Sequence, residues 1–250
     1  MLVKNYKKII LSFCLLFISA LISIIINYKN TGVFLNVKKR LPIYCVDVKD
    51  KKLAMSFNAS WGKDNTIKIL NILDKYDVKA TFFLVGGWID EHENEVKEIY
   101  KRGHEIGNHS NMHPDMTKIS KDKIKQEIYI TDAKIRKITG KSSKVFRCPE
   151  GAYNNLVVDT VEEMGNYCIQ WDVDSIDWKE EDVSKEYHRV IDKAKPGSII
   201  LFHTYAKNTP ENLPKIIEKL QNKGYKFVKV GDLIYKDNYK IDHLGKQIPN

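Results

Sequence analysis

The sequence predicts an α/β fold: a deformed (β/α) barrel of about seven parallel strands, preceded by an N-terminal transmembrane helix. Three observations carry this. Short apolar runs alternate with segments of helical periodicity at roughly 25-residue spacing, the pattern of parallel strands joined by helical crossovers. No glycine-rich phosphate loop follows the first predicted strand, which weighs against a nucleotide-binding fold. Residues able to do chemistry fall just after predicted strands, and in barrels that end of the sheet carries the active site.

Taken in order, Lys4, Lys7 and Lys8 precede an uncharged apolar run from Ile9 to Ile26, about long enough to cross a bilayer. Lysines before it and a soluble domain after it put the N-terminus inside and the domain outside the cell membrane. A cleaved signal peptide is the alternative; Ala20 offers a cleavage point, but Ile18 is large for the third position before it. The expected organisation is a cytoplasmic N-terminus over 1–8, an anchor over 9–27, a stalk over 28–50, a domain over 51–235 and a polar, loosely attached tail over 236–250. Strands are predicted at Leu53–Phe57, Ala80–Val85, Glu105–Asn108, Val145–Phe146, Tyr167–Trp171, Ser198–Phe202 and Lys226–Val230. Between them, Ile69, Leu70, Leu73 and Tyr76 recur at helical spacing behind Asp64-Asn65-Thr66. Further helices are predicted over Glu91–Lys101, from Ser120 to Gly140, and over Leu156–Met164, Val183–Lys193 and Leu213–Lys223.

The chain has 250 residues, 43% of them hydrophobic, enough for one sizeable core. A formal charge of +9 suits attraction to anionic membranes or wall polymers. No arginine-rich or aromatic-interleaved basic patch points to nucleic acid, and a monomer is expected. Cys14 lies in the apolar run; Cys45, Cys148 and Cys168 have no metal-type spacing and are expected to be free or buried.

The polar groups after the strands form one constellation. His109 and His113 can bind one divalent metal through neutral imidazoles, or can be unrelated satisfied histidines. Pro114 biases His113 away from helix, so a loop is expected there. Arg147 is a surface ion-pair former or a groove wall. Pro149 stiffens its loop, and Gly151 permits an unusual backbone angle or close approach of a ligand. Asp177 caps a helix or pairs with a protonated histidine. Trp178 is core or a sugar-stacking indole. His203, just after a buried strand, becomes a general-acid candidate once Asp177 stands beside it.

With those residues in view, His109-Ser110-Asn111-Met112-His113, Arg147-x-Pro149-x-Gly151, Asp174-Ser175-x-Asp177-Trp178 and Leu201-x-His203 resemble the second to fifth motifs of the polysaccharide deacetylases, carbohydrate esterase family 4 with its NodB-type domain. The resemblance covers about Lys52 to Leu233. The Ser56-Phe57-Asn58-Ala59-x-Trp61-Gly62 segment and the anchor are most similar to the branch of spore-forming bacteria. The resemblance implies removal of acetyl groups from a polymer of amino sugars such as peptidoglycan, with a sporulation role in view. It implies a divalent metal, usually zinc with cobalt as an alternative, held by both histidines and an aspartate. By the same resemblance His203 protonates the leaving amine, Asp177 tunes it, and a backbone N–H at Glu150 holds the oxyanion. Arg147, Trp178, Gly151 and Leu201 shape the groove.

The first motif of the family normally carries two adjacent aspartates, a base and a metal ligand. Here those positions read Asn58 and Ala59. Asp64, a few residues on, is the replacement to consider as third ligand or base, against the alternative that it caps the following helix. Glu150 is a more remote candidate for the base. Two functions follow: a metal-dependent deacetylase, or a glycan-binding relative with little or no turnover.

Overall fold

The computed structural model describes residues 10, 13–23, 39–62, 64–180 and 182–250. The chain divides into two compact units, Met1–Lys39 and Arg40–Asn250. In the first, residues 13–23 are helical with exposed side chains. Among the described residues no helix is long and apolar enough to cross a membrane. Of the anchor expected over 9–27, residues 9, 11, 12 and 24–27 lie outside the described residues.

The second unit is built on β2 (Lys52–Ala59), β3 (Thr81–Leu84), β4 (Glu105–Asn108), β5 (Val145–Phe146), β6 (Tyr167–Cys168), β7 (Val173–Asp174) and β8 (Ile199–His203). They pair in the order β6-β5-β4-β3-β2-β8-β7, and β9 (Lys226–Val228) pairs with the start of β2. Every pairing is parallel. The two ends of this path, β6 and β7, are consecutive in the chain and joined by residues 169–172 alone. Such a link spans at most roughly 17 Å. Seven strands laid flat would be about 29 Å across. The sheet must therefore curl, and it forms a half-barrel. This agrees with the predicted parallel barrel in strand direction and helical crossovers. The predicted strand over Tyr167–Trp171 is the exception: it stops at Cys168, and β7 begins after the turn that bridges the opening.

β2 is buried on both faces. Leu53, Met55, Phe57 and Ala59 alternate onto the side packed by the helices, with Ile69, Leu70 and Leu73 of Thr66–Lys75 and Ile216, Ile217 and Leu220 of Thr209–Asn222. Phe57 stacks between Phe82 at 4.9 Å and Phe202 at 5.6 Å. The alternate residues Ala54, Ser56 and Asn58 face the other way. Their register sets Asn58 level with His203 of β8 and Phe83 of β3.

The helices follow their predicted signals closely. Ser120 Oγ accepts from Lys123 N and Gly140 closes the helix Lys121–Thr139 in a left-handed cap. The predicted helix Glu91–Lys101 is instead two, Gly86–Glu91 and Glu93–Lys101. The last predicted strand ends at Val228 and gives way to a short helix, Val230–Leu233.

The expected stalk lies outside the described residues over 28–38; its described part, 39–50, and the expected tail carry strands of the fold. β1 (Cys45–Val46) runs parallel to β11 (Lys246–Pro249), which pairs antiparallel with β10 (Tyr239–Ile241). Ile43, Cys45 and Val46 are buried. Gln247, fully buried, donates to Tyr235 O at 2.8 Å and accepts from Tyr235 N at 2.9 Å. Gly197, at φ +80°, lets β1 approach so closely that a Cβ there would lie 1.7 Å from Val46 O. The tail reads as polar, yet backbone pairing and one buried amide fix it, and neither leaves an apolar signature in sequence.

Candidate active site

A cleft of about 690 Å³ opens at the C-terminal ends of the strands. Asn58, His109, His113, Glu150, Trp178, Leu201 and His203 all line it. Residues far apart in sequence meet there because each follows, or ends, a parallel strand.

The histidine loop is built by its own hydrogen bonds. Asn108 Oδ1 accepts from Ser110 N at 2.9 Å, and its amide donates to Ile128 O at 2.8 Å. Ser110 Oγ accepts from His113 N at 3.0 Å. Glu127, buried on the helix Lys121–Thr139, takes Asn111 N and Met112 N on one oxygen at 2.9 and 2.8 Å. Ser110 and His113 both sit at positive φ, 67° and 53°, so His113 stands in a loop rather than a helix, as Pro114 predicts. Positive φ on residues with a Cβ is uncommon and gathers at functional sites. Glu150 at 55° and Ile176 at 59° continue the pattern around this cleft.

His109 is buried, and its Nδ1 donates to Arg147 O at 2.8 Å. That bond leaves Nε2 with its lone pair free. Burial, reinforced by His113, pulls the His109 pKa well below its ordinary value. Burial also lowers that of His113, against the pull of the Glu150 carboxylate. Both rings are therefore neutral near pH 7, the form that ligates a metal, and their centroids are 4.9 Å apart.

The third ligand is not where the sequence suggested. Asp64 Oδ1 accepts from Thr66 N at 3.3 Å and Thr66 Oγ1 at 2.6 Å, holding the start of the helix Thr66–Lys75. Asp64 is not part of the cleft wall. A short carboxylate placed two residues before a helix finds its donors locally, here on Thr66. Ala59 alternates into the helix-facing core. Among the described residues no three His, Cys, Asp or Glu side chains are grouped to hold a metal. Two neutral nitrogens without an anionic donor do not make the three-ligand seat that the first-motif aspartate would complete.

Arg147 is the most unusual group present. It is fully buried, not a surface residue. Nη1 donates to Asn58 Oδ1 at 2.9 Å, and Nη2 to Ser56 Oγ at 2.8 Å and Gln170 O at 3.2 Å. Its plane lies 4.0 Å from the Phe83 ring centroid. None of these acceptors carries charge, and Nε has no partner among the described residues. Burial consequently lowers its pKa to about 9, with Asp174 the one opposing charge. Asn58 thus offers the guanidinium an amide oxygen at the position where the first motif has a carboxylate.

Asp177 and His203 meet as a hydrogen-bonded pair. Asp177 Oδ1 accepts from His203 Nδ1 at 2.8 Å, and Oδ2 from His203 N at 2.7 Å and Thr209 Oγ1 at 2.9 Å. The carboxylate fixes the ring tautomer and leaves Nε2 as the free nitrogen. Trp178 is 47% exposed on the rim, available for stacking. Gly151 is at φ +69°, and a Cβ there would meet Trp171 at 2.9 Å. A neighbouring side chain and the backbone angle both demand glycine.

Sequence reasoning singled out neither Trp61 as a rim residue nor Trp171, Asp174 and Tyr205 as cleft walls. Trp61, 52% exposed, meets the His113 ring edge-on at 5.4 Å. The available signal was position: Trp61 and Tyr205 each come two residues after a strand end. Ser56 and Gln170, which satisfy Arg147, gave no signal. Cys45, Cys148 and Cys168 are free and buried, with the last two sulfurs 3.8 Å apart.

A parallel half-barrel with histidines, a buried arginine and an Asp–His pair at its strand ends defines a carbohydrate-esterase type of site. The polysaccharide deacetylase sequence model matches residues 46–169. The chain is 30% identical over 212 residues to the peptidoglycan-N-acetylmuramic acid deacetylase PdaA of Bacillus subtilis, covering 83% of this chain and 81% of that one. It therefore belongs to the polysaccharide deacetylase family. Wild-type BA3943 of Bacillus anthracis, described as a CE4 family pseudoenzyme, superposes with a TM-score of 0.74 at 36% identity, over 78% of this chain and 69% of that one. A BA3943 mutant described as having restored enzymatic activity superposes with the same score and identity, over 78% and 71%. Members of the family are hydrolases acting on carbon–nitrogen bonds and are generally metal-dependent.

Proposed function

We propose that this chain binds an N-acetylated amino-sugar polymer of the cell wall in the 690 Å³ cleft and deacetylates it only slowly. One observation carries this: Asn58 Oδ1 accepts from Arg147 at 2.9 Å, so the position of the base holds a neutral amide tied to a buried cation. An amide does not take a proton from water at neutral pH. Loss of a general base costs about 10²–10⁴ in rate. The likeness to a pseudoenzyme supports the same reading.

The intact His203–Asp177 pair favours the companion reading, a deacetylase with residual turnover. Bound sugar stacks on Trp178 and Trp61 at the rim. His203 Nε2 gives its proton to the leaving amine, and Asp177 keeps the imidazolium in place. His109 and His113 would hold a divalent ion, zinc by preference, whose chemistry when bound is to polarise the acetyl carbonyl and activate water. Two neutral donors hold it weakly. We extend the proposal to a monomer anchored by residues 9–27 with its domain on the outer membrane face, serving wall assembly in sporulation.

The test is binding and acetate release by the full-length protein on chitin and peptidoglycan oligomers with added zinc or cobalt. Saturable binding is expected, with acetate release at least about 100-fold slower than that of an Asn58→Asp/Ala59→Asp variant. Wild-type release within tenfold of the variant overturns the attenuation; absence of binding to either polymer overturns the glycan reading.

A further inference from the structure

The cleft and the protein that carries it differ in electrical sign. The chain as a whole has a formal charge of +9. Among the described residues, the carboxylates Glu150 and Asp174 line the cleft, and no lysine or arginine joins them. His109 and His113 are neutral near pH 7, because burial lowers both pKa values. His203 is held by Asp177 at 2.8 Å, so a proton on that ring makes the pair neutral rather than positive.

Neither carboxylate is used up by the fold. Asp174 Oδ1 accepts from Ile176 N at 2.8 Å, which fixes the side chain and leaves Oδ2 without a donor among the described residues. Glu150 is exposed at φ 55° and its carboxylate has no hydrogen bond or ion pair with a described residue. The cations nearby are engaged elsewhere. Lys118 pairs with Asp115 at 3.0 Å, and Lys179 Nζ lies 5.2 Å from the Trp178 ring centroid. Arg189 Nε donates to the Asp174 backbone oxygen at 3.1 Å. Arg147 feels the Asp174 charge, but its Nη groups go to Ser56, Asn58 and Gln170 and it does not line the cleft.

Unpaired carboxylates among aromatic rings suit a cation. Trp61, Trp171, Trp178 and Tyr205 supply the rings. A sugar stacks on such faces, and a protonated amine is drawn both to them and to carboxylates. Removal of an N-acetyl group produces that cation. Water cleaves the amide C–N bond, acetate leaves, and the freed nitrogen takes up a proton. The amide offered one neutral N–H; the ammonium offers three charged donors.

We propose that the cleft selects the deacetylated sugar: a glycan bearing protonated amines binds there more tightly than its N-acetylated counterpart, and Asp174 and Glu150 set that preference. The inference rests on the reading of the cleft as an amino-sugar site and names the form of glycan it retains. Slow turnover and a held amine product then make one function, a protein that stays on deacetylated wall glycan. The positive surface draws an anionic polymer, and the negative cleft picks out its cationic residues.

The experiment is titration calorimetry on the full-length protein in detergent, with hexamers of N-acetylglucosamine and of glucosamine as the probes. A chelator is present, and the pH is mildly acidic so that the sugar amines are protonated. The glucosamine hexamer is expected to bind at least about tenfold more tightly, and added salt to narrow the gap. In an Asp174→Asn/Glu150→Gln variant, whose Asn Oδ1 can still accept from Ile176 N, the two affinities are expected to come within about threefold of each other. Equal binding of the two probes by the wild type, or tighter binding of the acetylated one, overturns the preference and leaves the glycan reading standing. Binding of neither overturns both. A preference that persists in the double variant, or that salt does not narrow, overturns the assignment to Asp174 and Glu150.

Discussion

In an Asn58→Asp variant a carboxylate oxygen replaces the amide oxygen that now accepts from Arg147 Nη1 at 2.9 Å. The guanidinium is fully buried, and its pKa is lowered to about 9. A depression of that size reflects on the order of 4–5 kcal/mol of disfavour for the charged form. An anion at hydrogen-bond distance strengthens that bond by about 1–2 kcal/mol over a neutral acceptor. Desolvation of the new carboxylate takes back part of the ion-pair attraction. The net expectation is a gain of about 1–2 kcal/mol at pH 7, seen as a melting temperature a few degrees higher. The sign with pH follows from the partner. Beside Arg147 the introduced carboxyl has a folded-state pKa below its unfolded value of about 3.9, so the gain is fully present above about pH 5 and fades as pH falls through the folded pKa. The assay is urea unfolding of wild type and variant at pH 7 and near pH 3. A variant no more stable than wild type at pH 7, or equally stabilised at both pH values, refutes the claim that Arg147 gains from a charged hydrogen-bond acceptor in place of its neutral ones.

With Ala59→Asp added, the double variant is expected to release acetate at least about 100-fold faster than wild type in the presence of zinc. Because Ala59 is fully buried in the core, the second aspartate is also expected to destabilise the protein by about 2–4 kcal/mol, read in a thermal melt. Trp178→Ala and Trp61→Ala are each expected to weaken binding of an amino-sugar oligomer by roughly tenfold, measured by calorimetry, while leaving the fold intact. His104, buried with Nδ1 accepting from Ala80 N at 3.2 Å, has its pKa lowered to about 4 by burial. Its folded pKa lies below the unfolded value of about 6.5, so stability is lost as pH falls from there towards 4, by on the order of 3 kcal/mol. Glutamine at 104 should flatten that limb of the pH–stability curve; an unchanged limb in denaturant melts would assign the loss to other groups.

Much of the site was legible because its residues follow strands whose apolar runs are strong local signals. His109, His113, Trp178 and His203 line the cleft at the strand ends, and Asp177 pairs with His203 behind it. Arg147 was legible as a site residue but not as a buried one, since its acceptors, Ser56, Asn58 and Gln170, come from two other parts of the chain. Asp64, a candidate ligand or base in the sequence with a helix cap as the alternative, bonds Thr66 and does not line the cleft, a local choice that spacing does not reveal. The tail was misread because β10 and β11 are held by backbone bonds that any composition can make.

The sequence by itself determined the family, the parallel α/β plan and the loss of both first-motif aspartates, because these are read from residue identity and period. Only the tertiary structure decided what that loss means physically. It shows a buried guanidinium answered by an amide rather than a carboxylate, two histidines with no third ligand grouped beside them among the described residues, and Asp177 paired with His203. Those facts depend on which side chains meet across the sheet, and a linear sequence does not state which they are.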